Sequence, residues 1–138
     1  CAAPGGKTFT MAEMMGDEGR IFACELHEKR TGLIVKGAER LGISCIEAVT
    51  NDARVYNEKL PVADRVLCDV PCSGYGVIRG KPEIRYKPLS EAQRLPEIQL
   101  DILRTACRYV KDGGLLVYST GEYRGKRVCY RKIPCGKQ

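Results

Sequence analysis

Two short stretches of this 138-residue chain carry residue types that can do chemistry. The chain opens Cys1-Ala2-Ala3-Pro4-Gly5-Gly6-Lys7-Thr8. Small side chains there let backbone N–H groups approach a ligand closely. A helix expected from Lys7 onward would aim the positive end of its dipole at the same point. Such a loop suits a cofactor or a phosphate. It also fits the phosphate-loop pattern G-x-x-x-x-G-K-T at every fixed position except the first, where Cys1 stands in place of Gly, and residues 65–69 would then be the acidic strand that handles magnesium. The second stretch is Asp69-Val70-Pro71-Cys72-Ser73-Gly74. It sets a cysteine in a tight loop, with Pro71 fixing the local φ and Gly74 giving freedom behind it, so that a thiolate can reach a substrate.

The elements that must hold these groups alternate. Residues 20–25, 43–49, 64–70 and 115–119 have the β-type composition of strands, and residues 7–15, 28–41 and 90–110 the spacing of helices. The second helix closes at Gly42. The third has Ser90 as N-cap, Pro96 as a kink or a true start, and apolar Ile98, Leu100, Ile102, Leu103, Ala106 and Tyr109 near helical spacing. This alternation predicts an α/β domain on a parallel sheet. A doubly wound domain supplies a strand before its first Gly-rich loop, so the chain is expected to be a fragment without that strand. Three acids then fall at successive strand ends: Glu25, nineteen residues after Gly6, Asp52 beside Asn51, and Asp69. Glu25 stands where α/β folds grip ribose hydroxyls, and Asp52 could face an adenine. Three carboxylates along one sheet edge would repel a triphosphate and tolerate a cofactor that is cationic at its reacting centre.

Composition narrows the class. At 43% apolar and 29% charged residues the chain has the make-up of a soluble domain with one core, and the expected address is the cytosol, with no membrane span and no signal segment. Eight cysteines without a C-x-x-C, and a single His, argue against a disulfide scaffold or a zinc site. Cys24, Cys45, Cys68 and Cys107 read as small buried hydrophobes, and Cys72 as the exception. The net charge of +6 is concentrated in the tail. Residues 121–138 hold Arg124, Lys126, Arg127, Arg131, Lys132 and Lys137 against Glu122, a net of +5, leaving about +1 for the first 120 residues. Nucleic-acid binding must therefore rest on a local cluster. One exists: Arg79, Lys81, Arg85 and Lys87 lie within nine residues around Tyr86, a grouping suited to phosphates and a stacked base.

Together these stretches resemble the RNA (cytosine-5) methyltransferase family, above all its bacterial members that act on small-subunit ribosomal RNA. The matching residues are Cys1 to Thr8, A-C-E-L-H-E-K-R at 23–30, Asn51 to Arg54, D-V-P-C-S-G-Y-G-V-I-R-G-K-P-E-I-R-Y-K at 69–87, and Gln99 to Thr120, closing on G-G-L-L-V-Y-S-T. The resemblance covers about residues 1–120. It implies a Rossmann-like methyltransferase fold, here truncated before its first strand and after its fifth helix-strand unit, an S-adenosylmethionine cofactor, and an RNA partner of ribosomal origin. It further implies a monomer without metal. By the same resemblance Ala2, Ala3, Pro4, Gly5, Gly6, Lys7, Glu25, Asp52 and Asp69 contact the cofactor, with Lys7 and Asp69 also near the target base. The base must leave its stack, so an RNA loop or unpaired region is the expected substrate.

The family's chemistry exposes a departure. Carbon-5 of cytosine accepts a methyl group only after a thiolate adds to carbon-6, and the family uses two cysteines, the nucleophile directly after Ser-Thr and a second, in the Pro-Cys loop, that assists product release. Here Ser119-Thr120 is followed by Gly121. Cys72 is present; the nucleophile is missing. A reading-frame slip accounts for both the loss and the basic tail. Codons for residues 122–137 read one nucleotide later permit N-I-E-E-N-E-x-V-I-E-K-F-L-A, which resembles the family's usual continuation. The expected organisation is a partial catalytic domain over 1–120 and an aberrant, disordered tail over 121–138, in a copy that lacks activity. A phosphate-loop nucleotide-binding protein and a non-catalytic RNA-binding remnant are the alternatives.

Overall fold

The computed structural model describes residues 1–72, 89–120 and 129–131. Its elements are α1 (Gly6–Met14), β1 (Ile21–Glu25), α2 (Glu28–Leu41), β2 (Ile46–Thr50), β3 (Ala63–Asp69), α3 (Leu89–Tyr109), β4 (Val110–Ser119) and β5 (Cys129–Arg131). The expected α/β alternation is present: α2 has the expected bounds and closes at Gly42, and the four expected strands and the other two helices appear with shifted ends. The chain divides into two compact units, Cys1–Leu60 and Pro61–Gln138, where composition alone predicts one core. Among the described residues β1 and β2 form one sheet and β3, β4 and β5 another, so no described strand joins the two.

In the first unit β1 and β2 run parallel, with Ile21 opposite Ile46 and Glu25 opposite Thr50. The α2 helix lays Thr31, Ile34 and Ala38, spaced three and four apart, on its buried face. Ile34 is fully buried and packs with Ala3 and Ala23, a burial that contributes about 2 kcal/mol. The Thr31 and Thr50 hydroxyls meet at 3.2 Å, tying α2 to β2. The second strand begins at Ile46, three residues later than its composition predicts. The reason is Asp17. This residue, at φ 58°, accepts hydrogen bonds from the Ser44 N–H at 2.9 Å, the Ser44 hydroxyl at 2.7 Å and the Cys45 N–H at 2.8 Å. Those amides are spent on a carboxylate before the ladder begins.

In the second unit β3 and β4 pair in parallel, with Asp69 opposite Ser119, and β5 adds antiparallel with Cys129 opposite Val117. Thus three residues of the tail expected to be disordered form a strand; the rest of 121–138 lies outside the described residues. β4 starts at Val110, five residues before the expected strand, because the ladder survives an irregularity between Ala63 and Arg65. Gly114 permits this, since a Cβ there would meet the Asp64 carbonyl oxygen at 2.8 Å. The α3 helix is already under way at Leu89, so Ser90 is not its cap, and Pro96 lies inside it at the cost of one backbone hydrogen bond. Its buried positions are Gln99, Ile102, Thr105 and Ala106, whereas Leu100, expected on the apolar face, is exposed. No helix among the described residues is long and apolar enough to cross a membrane.

Hydrogen bonds from Cys45 and then Ser44 hold the Asp17 carboxyl far below the ordinary carboxylate range. A depressed folded-state value means that the contribution to stability is complete above the unfolded value of about 4 and is lost as pH falls toward the folded one. Thermal melting should show Asp17→Ala several degrees less stable than the parent at neutral pH. The gap should narrow as pH drops below about 4. A gap independent of pH would contradict the assignment.

Candidate functional site

The start of the chain is laid along the end of β1. Ala2 donates its N–H to the Cys24 carbonyl at 3.1 Å, and Ala3 donates its N–H to the Glu25 carboxylate at 3.1 Å. The Ala3–Pro4 peptide is cis. Gly5, at φ 113°, caps α1, whose first bond runs from the Phe9 N–H to the Gly5 carbonyl at 2.8 Å. The Phe9 ring rests on two glycines: a Cβ at Gly5 or at Gly37 of α2 would overlap it. A Cβ at Gly6, in contrast, would meet nothing within 4 Å. The loop's glycines thus divide between close packing and open approach. Pro4, Gly6 and Lys7 are exposed at the positive end of the α1 dipole, and Ala3 and Gly5 are buried beneath them.

Glu25 ends β1 and is only 2% exposed. Arg30 pairs with it at 3.4 Å and, through its other terminal nitrogen, donates to the Ala3 carbonyl at 3.0 Å. The chain's amino group lies 3.3 Å from the same carboxylate. Burial alone would raise the Glu25 pKa; the Ala3 N–H, the amino group's charge and Arg30 together outweigh it and leave the carboxyl lowered and ionised. The Asn51 N–H donates to the Glu25 carbonyl at 2.9 Å, which brings the end of β2 beside the end of β1. Asp52 follows there, held by Arg54 through Nη2 at 2.6 Å and Nε at 3.0 Å, and this pairing lowers its pKa. The first unit therefore gathers Ala2 to Lys7, Glu25 and Asp52 at one pair of strand ends.

In the second unit Asp69 ends β3 and is hydrogen-bonded by the Ser119 hydroxyl, while the Val70 N–H donates to the Ser119 carbonyl at 3.0 Å. Pro71 and Cys72 follow, with Cys72 half-buried. Cys1, Cys24, Cys45, Cys68, Cys72 and Cys107 are free thiols. Burial raises the thiol pKa of Cys24 and Cys45, and pushes that of Cys68 up to about 12 with the nearby Cys107 adding to it, which removes these three as nucleophiles near neutral pH. Cys107 is exposed, against the expectation of a buried hydrophobe. Among the described residues no group of three His, Cys, Asp or Glu side chains can hold a metal ion. A hollow of about 220 Å³ lined by Asp64, Lys111 and Gly114 lies at the opposite end of β3 from Asp69. Arg79, Lys81, Arg85, Tyr86 and Lys87, together with Ser73, Gly74 and Gly121, lie outside the described residues.

A family model described as 16S rRNA methyltransferase RsmB/F matches residues 1–125. The chain belongs to the RsmB/F family. It is 49% identical over 123 residues to a probable ribosomal RNA small subunit methyltransferase B of Bacillus subtilis (strain 168), covering 87% of this chain and 28% of that protein. To ribosomal RNA small subunit methyltransferase F of Escherichia coli O157:H7 (strain EC4115 / EHEC) it is 38% identical over 122 residues, covering 86% and 25%. Among solved structures, that of NSun6 from Pyrococcus horikoshii with SFG superposes with a TM-score of 0.75 at 31% identity, covering 86% of this chain and 30% of that one. The fold is accordingly the Rossmann-like α/β fold of methyltransferases. The chain spans 28% and 25% of the length of these two curated relatives.

Within this RsmB/F chain, Arg30 and Ser119 hold candidate site residues, yet sequence reasoning assigned neither a role. Arg30 carried a signal: a cation in the first turn of a helix opposes the dipole and needs a local partner. Ser119 carried none, because its value lies in a register that places it opposite Asp69. Replacing Arg30 by Ala should cost about 1–2 kcal/mol in chemical denaturation followed by circular dichroism, toward the low end because half of the side chain is in water. Arg30→Lys should recover only part, since a point charge cannot serve Glu25 and the Ala3 carbonyl together. Full recovery by Lys would reduce Arg30 to a generic charge.

Proposed function

We propose that this chain is the part of an S-adenosylmethionine-dependent RNA (cytosine-5) methyltransferase that binds the cofactor and presents the Pro-Cys loop, and that this copy does not complete the reaction. The observation that carries the cofactor reading is the buried, ionised Glu25 tied to the Gly-rich loop, with open space over Gly6. In this reading Ala2, Ala3, Pro4, Gly5, Gly6 and Lys7 form the cradle, Glu25 takes the ribose hydroxyls, Asp52 faces the adenine, and Asp69 is a further cofactor contact by the family resemblance. The cofactor, when bound, supplies an electrophilic methyl group. SFG, an S-adenosylmethionine analogue, accompanies the structural relative NSun6, which supports the same ligand class.

The substrate is RNA of the small ribosomal subunit, following the relatives' names, and the proposed address is the cytosol expected from the sequence. Arg79, Lys81, Arg85, Tyr86 and Lys87 are the proposed phosphate and base contacts. Lys7 and Asp69 serve the base. Cys72 serves product release, where its thiolate or a base beside it removes the carbon-5 proton so that the enzyme–carbon-6 bond can break. Forming that bond needs a thiol directly after Thr120, and Gly121 has none. Residues 121–138 are, on this account, a frame-shifted tail with no role in the reaction. Gly121 equally favours an RNA-binding remnant, which would hold RNA without turnover. A phosphate-loop nucleotide site is disfavoured by Cys1, which stands where that pattern has its first Gly.

The test is adduct formation with RNA containing 5-fluorocytosine, which cannot lose its carbon-5 substituent and so traps the covalent intermediate. The chain should form no adduct, Gly121→Cys should form one, and both should be unaffected in this respect by Cys72→Ala. Adduct formation by the unaltered chain that disappears in Cys72→Ala would make Cys72 the nucleophile and reverse the assigned roles.

A further inference from the structure

We infer that Gln99 is a positioning residue for the Cys72 thiol. Resting on the reading of Cys72 as a working group of this family's reaction, it assigns the residue that fixes where that thiol stands. Gln99 lies on the buried face of α3, in register with Ile102 and Ala106, and is 9% exposed. Its side-chain amide donates to the Pro71 carbonyl at 2.8 Å, and its oxygen accepts from the Tyr118 hydroxyl at 3.4 Å. A carbonyl can only accept, so the NH₂ group must face Pro71; the hydroxyl of β4 fixes the other end of the amide.

The packing position alone calls for an apolar residue. Burying an amide costs free energy unless its donor and acceptor are both used, and here they are used on the Pro-Cys loop and on the strand behind it. Pro71 has no N–H, so its carbonyl is the one backbone group through which that residue can be held. The two residues before it are already fixed by β4: Asp69 by the Ser119 hydroxyl, Val70 by the Ser119 carbonyl. Gln99 extends this restraint past the strand to the peptide that joins Pro71 to Cys72. A rotation of that peptide would carry the thiol with it. Gln99 thereby sets the direction of the Cys72 side chain without touching any reacting atom.

The experiment measures methylthiolation of the full chain by methyl methanethiosulfonate, resolved by peptide mass spectrometry as the ratio of the Cys72 rate to that of exposed Cys107. Gln99→Leu, which keeps the volume and removes both hydrogen bonds, should raise the ratio about fivefold, the scale of one net hydrogen bond. Tyr118→Phe, which frees the amide to rotate, should raise it by a smaller factor in the same direction. Gln99→Glu supplies a pH readout that space-filling alone does not give. Its protonated carboxyl can donate to the Pro71 carbonyl and its carboxylate cannot, and the groups bonded to this position are that carbonyl and the Tyr118 hydroxyl. The ratio should follow the parent in mild acid and approach the Leu protein in mild alkali. An unchanged ratio in a folded Gln99→Leu protein would overturn the inference. Should that protein fail to fold, a Gln99→Glu ratio without a pH step, or an unchanged Tyr118→Phe ratio, would do so. The readout is loop geometry, so failure of the 5-fluorocytosine test leaves this result standing, and failure here leaves that test standing.

Discussion

The first unit depends on one buried carboxylate. Glu25 at 2% exposure would be costly to leave ionised. It stays charged because the Ala3 N–H and Arg30 hold it. These two partners belong to different pieces of structure, the Gly-rich loop and the first turn of α2. Satisfying the charge therefore determines where the loop lies on β1 and how α2 leaves it. Phe9 continues the same arrangement, wedged between Gly5 and Gly37, so the start of α1 is tied to α2 through a ring that tolerates no Cβ on either side. A loop held this firmly has its exposed residues, Pro4, Gly6 and Lys7, set before any ligand arrives, which reduces the ordering cost of binding.

The second unit solves a similar problem with neutral groups. The end of β3 carries an acid and then a proline, the point at which ladder hydrogen bonds run out. Ser119 serves two successive residues, one through its hydroxyl and one through its carbonyl, and the parallel register of β3 with β4 puts it there. The thiols are sorted by the same packing. Those inside the sheets are raised in pKa by burial, and Cys72 lies beyond the strand end, half in water. Reactivity here follows from where the strand stops.

The placement of the candidate site's residues at strand ends was legible in the sequence because it is written in residues whose types carry geometry. Small residues and a lysine before a helical stretch located the loop, and acids at the ends of β-rich runs located Glu25, Asp52 and Asp69. The boundaries that shifted did so through long-range contacts. Asp17 delays β2 by taking the Ser44 and Cys45 amides from 27 and 28 residues away, and nothing within residues 43–49 announces it. On α3 the apolar Leu100 is exposed and the polar Gln99 beside it is buried, because a loop carbonyl far along the chain satisfies its amide. The division into two units was invisible to a pattern reading, since local periodicity does not say which strands share a sheet. The tail's three-residue strand was equally unannounced, because β5 depends on pairing with β4 rather than on any period of its own.

The account stands on the claim that the loop and Glu25 form a nucleoside cofactor site rather than a triphosphate site. Isothermal titration calorimetry of the chain with S-adenosylhomocysteine and with magnesium-ATP tests it directly, with Glu25→Gln alongside. The account predicts heat of binding for S-adenosylhomocysteine, none for magnesium-ATP, and affinity weakened about tenfold or more in Glu25→Gln, the scale of a lost charge-assisted hydrogen bond. Saturable binding of magnesium-ATP with none of S-adenosylhomocysteine would contradict it.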